Sequence, residues 1–188
     1  MSNLNRVRTF IAVDVSNRNG IENLQKELIE NTRWSPQEVK PVEKQNFHFT
    51  LVFLGTVNLD AIDKIKSKLL ELQFKPINVT YTGLGGFPSS NFARVVWIGV
   101  DEEGRKGLGS LAELVISKMA EIGFRSKSFA PHMTIFRIKR GNLKLDSILS
   151  KYNDETFGSD VINKVHLKRS ELTPAGPIYS DIFTVYAK

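Results

Sequence analysis

The chain switches repeatedly between two hydrophobic periods. Val7 to Val13 is a run of apolar and β-branched residues that stops at Asp14, with Asn17, Asn19 and Gly20 supplying turn chemistry after it, which predicts a strand and a loop. Ile21, Leu24, Leu28 and Ile29 recur near helical spacing, with charges between them, until Pro36, which predicts an amphipathic helix. Phe47 to Leu54, closed by Gly55, reads as the next strand. Asp60 stands near the start of a second helix that carries Ile62, Ile65, Leu69, Leu70 and Leu72 on its buried side. Ile77 to Thr82 is a predicted strand, Gly83 to Pro88 a glycine-rich connection, and Arg94 to Val100 another strand. Those glycines precede a strand and match neither the dinucleotide nor the P-loop spacing, so they are assigned no phosphate-cradling role. Leu108, Leu111, Leu114, Val115, Met119 and Ile122 predict a third helix ended by Gly123. Phe129 to Phe136 is strand-like, a short helix is expected around Leu143 to Leu149, and Val161 to Leu167 and Ile178 to Tyr186 complete the set. Neighbouring strands are often joined without a helix, so the expected class is α+β with mostly antiparallel sheets.

Composition narrows the picture. The 188 residues, 41% apolar and 24% charged, suit a single compact domain over residues 1–188 that folds throughout. The apolar stretch Phe10 to Val13 is stopped by Asp14, far short of the roughly 18 to 20 residues that cross a bilayer, and no signal peptide is expected. Zero cysteines exclude disulfides, thiolate metal sites and cysteine nucleophiles, and fit a reducing, cytoplasmic setting. A net charge of +6 favours an anionic partner such as RNA or a phosphorylated small molecule. The basic residues are dispersed apart from the group Arg137, Lys139 and Arg140, so no basic tail carries that binding.

The chemistry lies in a repeat. Two of the three histidines open the same tetrad, His48-Phe49-Thr50-Leu51 and His132-Met133-Thr134-Ile135. Composition gives any one histidine about a 2% chance of starting His-x-Thr-apolar, so the pair is about a one in 700 coincidence. Single strand histidines are usually structural, and the third, His166, has Lys168 two positions on; it is read as a strand residue without a catalytic role. The two copies are close to half the chain apart, which suggests two similar lobes from an internal duplication. Residues i and i+2 share a face of a strand. His48 and Thr50 therefore project together, with Phe47, Phe49, Leu51 and Phe53 on the opposite, packed face. His132 and Thr134 likewise project together, with Met133 and Ile135 behind. Lobes facing each other about a pseudo-two-fold axis would deliver two imidazoles and two hydroxyls to one cleft.

In-line displacement at a phosphodiester needs a base on the attacking oxygen and an acid on the leaving oxygen, which two facing histidines supply. Threonine hydroxyls can donate to the non-bridging oxygens, where charge accumulates. This scheme requires no metal and no cofactor, and the histidines lack nearby ligand-spaced partners that would complete a metal site.

These tetrads resemble the hallmark of the two-histidine (2H) phosphoesterase superfamily. The flanks are similar to its RNA 2′,3′-cyclic phosphodiesterase branch, also called 2′-5′ RNA ligases. The similar segments are Arg8-Thr9-Phe10-Ile11-Ala12, Asn46 to Leu51 with Phe53-Leu54-Gly55, Gly86-Phe87-Pro88 with Arg94 to Trp97, Pro131 to Ile135 with Arg137, and Ser170, Leu172, Gly176, Pro177 and Tyr179. The resemblance implies a bilobal fold with a central cleft and an enzyme that opens RNA 2′,3′-cyclic phosphates to 2′-phosphates; a monomer is expected. It implies that His48 would protonate the leaving 3′ oxygen, that His132 would activate water, and that Thr50 and Thr134 would hold the phosphate. Arg137 would bind phosphate only if the strand twists or bulges after Ile135, since strict alternation turns it away from His132. Phe10 and Tyr179 could stack on a base. A 2′-5′ RNA ligase, a phosphoesterase of small cyclic nucleotides and a non-catalytic RNA-binding module are the alternatives.

Overall fold

The computed structural model describes residues 6–126, 128–140, 145–174 and 176–188. In chain order the elements are β1 (Arg6–Asp14), α1 (Asn19–Thr32), β2 (Val39–Pro41), β3 (His48–Asn58), α2 (Leu59–Leu70), β4 (Ile77–Phe87), β5 (Val95–Val100), α3 (Glu102–Ala120), β6 (Met133–Ile138), α4 (Asp146–Leu149), β7 (Thr156–Ile162), β8 (Lys164–Thr173) and β9 (Gly176–Tyr186). One sheet has the order β3-β1-β8-β9 and the other β2-β6-β5-β4-β7. The pairings are antiparallel, so the α+β class, with antiparallel sheets flanked by helices, is what the chain adopts.

The duplication is visible in the sheet order. Superposing the two tetrad strands matches β3 with β6, β1 with β5, β8 with β4 and β9 with β7, and β2 extends the second sheet beyond β6. One lobe thus joins the chain's first strands to its last hairpin, and the other is built from the middle. The helices interlock them. α1 leaves β1 of one sheet and packs on β6 and β7 of the other, while α3 packs on β4 and also on β3. The apolar interior is one continuous cluster that includes Ile11, Phe49 and Leu167 of the first sheet and Tyr81, Ile98 and Ile135 of the second.

Local chemistry sets the helix ends. The Asn58 side chain accepts from the Ala61 N–H at 2.9 Å, and Asp101 accepts from Gly104 N–H at 3.1 Å with Glu102 and Glu103 in the first turn of α3, so both helices begin on a side-chain cap favoured by the helix dipole. α1 stops where Arg33 takes a left-handed φ of 55° and its N–H returns to the Ile29 carbonyl. Among the described residues no helix is long and apolar enough to cross a membrane.

Four details differ from the sequence expectations. The Gly83 to Phe87 stretch is the second half of β4, where Gly83, at φ +68°, supplies the extra residue of a bulge opposite β5. The strand expected from Phe129 begins only at Met133, the run Val161 to Leu167 is divided between β7 and β8, and β2 had no periodic signal to mark it. Leu143, at the start of the expected short helix, lies outside the described residues.

Candidate active site

His48 opens β3 with Phe47, Phe49 and Leu51 buried behind it, so the strand's apolar face anchors what its other face presents. The imidazole Nδ1 lies 2.7 Å from the Asn46 carbonyl. A carbonyl can only accept, so Nδ1 carries the proton, and Nε2 faces the Thr50 hydroxyl at 3.0 Å. Phe10 and Tyr179 pack on the ring at centroid distances of 5.2 and 5.3 Å. This enclosure pushes the imidazole down from 6.5 to about 4. Burial is the main cause, opposed by the Asn46 carbonyl and Asp14 and assisted by Lys168 and Arg137.

His132 stands one residue before β6, in the same tautomer: its Nδ1 donates to the Ala130 carbonyl at 2.8 Å. Both copies therefore fix the imidazole through the carbonyl two residues upstream and turn Nε2 toward the ligand side. Phe87 meets the His132 ring edge-on at 4.9 Å and Trp97 lies 6.4 Å away. Those two aromatics were missed in the sequence, since an aromatic in a strand reads as core. Gly85 makes the arrangement possible, because a Cβ there would fall 2.0 Å from the Trp97 ring.

Beyond each tetrad's threonine the ladder slips at an equivalent place. Leu51 has no partner between Thr50 and Val52 on β1, and Ile135 has none between Thr134 and Phe136 on β5. Each bulge inserts one residue, so the sixth position of each repeat, Phe53 and Arg137, returns to the cleft face. Arg137 accordingly lines the cleft. Phe53 corrects the alternation argument: it is 68% exposed and lines the cleft instead of packing beneath the helices. The second bulge is pinned from behind. The Ile135 carbonyl accepts from the Val42 N–H at 2.9 Å and from the buried Gln25 Nε2 at 2.8 Å.

The resulting cleft, about 630 Å³, brings together Phe10, His48, Thr50, His132, Thr134, Arg137 and Tyr179, every site residue expected from the sequence. Arg8, Lys40 and Lys139 join the same lining and give it a basic character. Beside His48 the first sheet also holds a charged cluster the sequence reading did not find. Lys168 is 2.8 Å from Asp14 and 2.6 Å from Asp181, and His166 Nδ1 is 3.1 Å from Asp181. Asp14, His166 and Asp181 offer ligand atoms within 4.8 Å of one another, but the Lys168 ammonium contacts both carboxylates, a poor fit to a cation.

The arrangement matches known proteins throughout its length. A model of the LigT-like phosphoesterase family matches residues 11–97 and again 98–179, reproducing the two-fold repeat. An RNA 2′,3′-cyclic phosphodiesterase of Archaeoglobus fulgidus is 41% identical over 179 residues, covering 94% of this chain and 98% of the relative. One from Aquifex aeolicus is 44% identical over 154 residues, 78% of this chain and 81% of the relative. A crystal structure of a phosphoesterase superposes with a TM-score of 0.76 at 25% identity, covering 96% of this chain and 98% of that one. With paired His-x-Thr strands meeting in one cleft and a family model that repeats across both halves, this chain belongs to the LigT-like phosphoesterases of the two-histidine superfamily.

Proposed function

We propose that the chain hydrolyses RNA 2′,3′-cyclic phosphate ends to 2′-phosphates, with His132 as base and His48 as acid. The observation that supports this best is the shared tautomer: two histidines, each with Nδ1 held by an upstream carbonyl, line one cleft. Relatives bearing the name RNA 2′,3′-cyclic phosphodiesterase cover nearly the whole chain, which favours the same reaction here.

Nε2 of His132 takes a proton from water as its oxygen bonds to phosphorus, the P–O3′ bond breaks, and Nε2 of His48 gives its proton to O3′. The product carries a 2′-phosphate and a free 3′ hydroxyl. Thr50 and Thr134 donate to the non-bridging oxygens, and Arg137 holds the phosphate's charge. Phe10 and Tyr179 offer ring faces to a base.

His48 presents an apparent difficulty, because burial by the surrounding side chains disfavours its charged form. An anionic phosphate beside the ring favours the imidazolium and opposes that depression. The same event rearranges the threonine. While His48 is neutral, its Nε2 accepts from the Thr50 hydroxyl; once protonated, Nε2 can no longer accept, so its N–H is available to O3′ and the Thr50 O–H turns to donate to a phosphate oxygen. Acid and phosphate clamp are thus armed together by substrate.

Phosphorus NMR of the product from an RNA oligonucleotide with a 2′,3′-cyclic end tests the reading. A 2′-phosphate is expected. A 3′-phosphate would refute the assigned leaving oxygen, and an unchanged substrate would refute the activity.

A further inference from the structure

The two tetrads are alike, yet the chemistry asks unlike things of their histidines, so something outside the motif must distinguish them. The sheets show where. Asp14 of β1 is the direct ladder partner of His48, and directly opposed residues rise from the same face. In the other lobe the β5 pairing of Trp97 with Thr134 and Ile98 with Met133 makes Gly99 the counterpart of Asp14. His48 thus has a carboxylate as its direct ladder partner, whereas the position opposite His132 is a glycine. The carboxylate is also held: Lys168, 6% exposed, bridges Asp14 and Asp181, and His166 braces Asp181 from one side and meets the Thr184 hydroxyl at 3.0 Å.

We propose that Asp14, clamped by Lys168, is the positioning residue that makes His48 the acid of the pair, its carboxylate favouring the imidazolium that protonates the leaving oxygen. This rests on the hydrolytic reading above and adds to it the source of the asymmetry. Among the described residues, the charged groups that act on His48 are Asp14 from β1, Lys168 from β8 and Arg137 from β6, Tyr179 from β9 packs on the ring, and Asp181 and His166 adjoin Lys168. Asp14 is the direct ladder neighbour of His48, and the ion pair with Lys168 limits its pull on the ring. The directions of the shift at His48 agree: Asp14 acts upward, Lys168 and Arg137 downward.

The test is a proton-NMR titration of the His48 ring in the free, full-length protein, for wild type, Asp14→Asn and Lys168→Met, together with the rates of each on a cyclic-phosphate-ended oligonucleotide. Asp14→Asn should lower the His48 midpoint and Lys168→Met should raise it. Each unit lost from the midpoint in the substrate complex cuts the protonated acid about tenfold, so Asp14→Asn should lose kcat with KM nearly unchanged. A merely structural role would lower the melting temperature of both variants and leave the titration in place, which overturns the proposal, as does movement of both midpoints in one direction. If the titrations move as stated while wild type leaves the substrate intact, the role of Asp14 in setting His48 stands and the reading of the reaction fails.

Discussion

Replacing His48 with glutamine should flatten the acid side of the protein's stability curve. In the unfolded chain an imidazole takes its proton near pH 6.5, whereas in the folded protein burial lowers His48 to about 4. Between those values the unfolded chain binds the extra proton and the native state does not, so stability is full above about pH 6.5 and drains away as the pH falls toward about 4. The fall from 6.5 to about 4 corresponds to about 3 to 4 kcal/mol at about 1.4 kcal/mol per tenfold change. This is an upper bound, because the ring is partly open to the cleft. His166 is depressed in the same direction by its own burial, but it is present in both proteins and cancels in the comparison. Urea unfolding followed by circular dichroism, at about pH 7.5 and about pH 4.5, measures the difference. Wild type should lose about 2 to 3 kcal/mol more than His48→Gln on acidification. Equal losses would show that the cleft solvates the imidazolium and that the buried-histidine account is wrong.

Gln25→Leu should cost about 2 to 3 kcal/mol, because Nε2 bonds the carbonyls of Val42 and Ile135; since the second of these anchors the bulge that turns Arg137 inward, KM should also rise, as unfolding and steady-state kinetics will show. Gly85→Ala should cost about 1 to 3 kcal/mol of overpacking and alter indole fluorescence, as its Cβ displaces Trp97 from beside His132. Thr50→Val and Thr134→Val keep the strand shape, and each should cost about 2 to 4 kcal/mol of transition-state stabilisation. Only Thr50→Val should also move the pH–rate profile, because Thr50 alone of the pair bonds its histidine among the described residues.

The tetrads were legible because their chemistry and their strand period coincide. His48 with Thr50 and His132 with Thr134 face the ligand side wherever the strand holds its alternation, and the buried Phe49 and Met133 guarantee the opposite face. Alternation fails at Leu51 and Ile135, where the bulges depend on the neighbouring strands and, for Ile135, on the distant Gln25 and Val42. No local residue type announces such a slip, so strict alternation assigns Phe53 to the packed face and cannot by itself decide the face of Arg137. The same limit hid the partners of the histidines. Trp97 reaches His132 because Gly85 on the next strand leaves room, and Asp14, Lys168 and Asp181 meet through pairing of the first strand with the last hairpin, a separation of more than 150 residues between Asp14 and Lys168. His166 lacks the tetrad and reads as a plain strand residue, although burial and Asp181 make it part of that charged cluster.

If two imidazoles carry both proton transfers at one phosphorus, each should be indispensable to turnover and no metal should be. The most direct test is the initial rate of hydrolysis of an RNA oligonucleotide ending in a 2′,3′-cyclic phosphate, in the presence of EDTA, for wild type, His48→Ala and His132→Ala. Wild-type turnover should be unchanged by the chelator, and each variant should fall by about 10² to 10⁴ with the circular dichroism spectrum preserved. Loss of wild-type activity to EDTA, or either variant retaining a near wild-type rate, would contradict the two-imidazole chemistry.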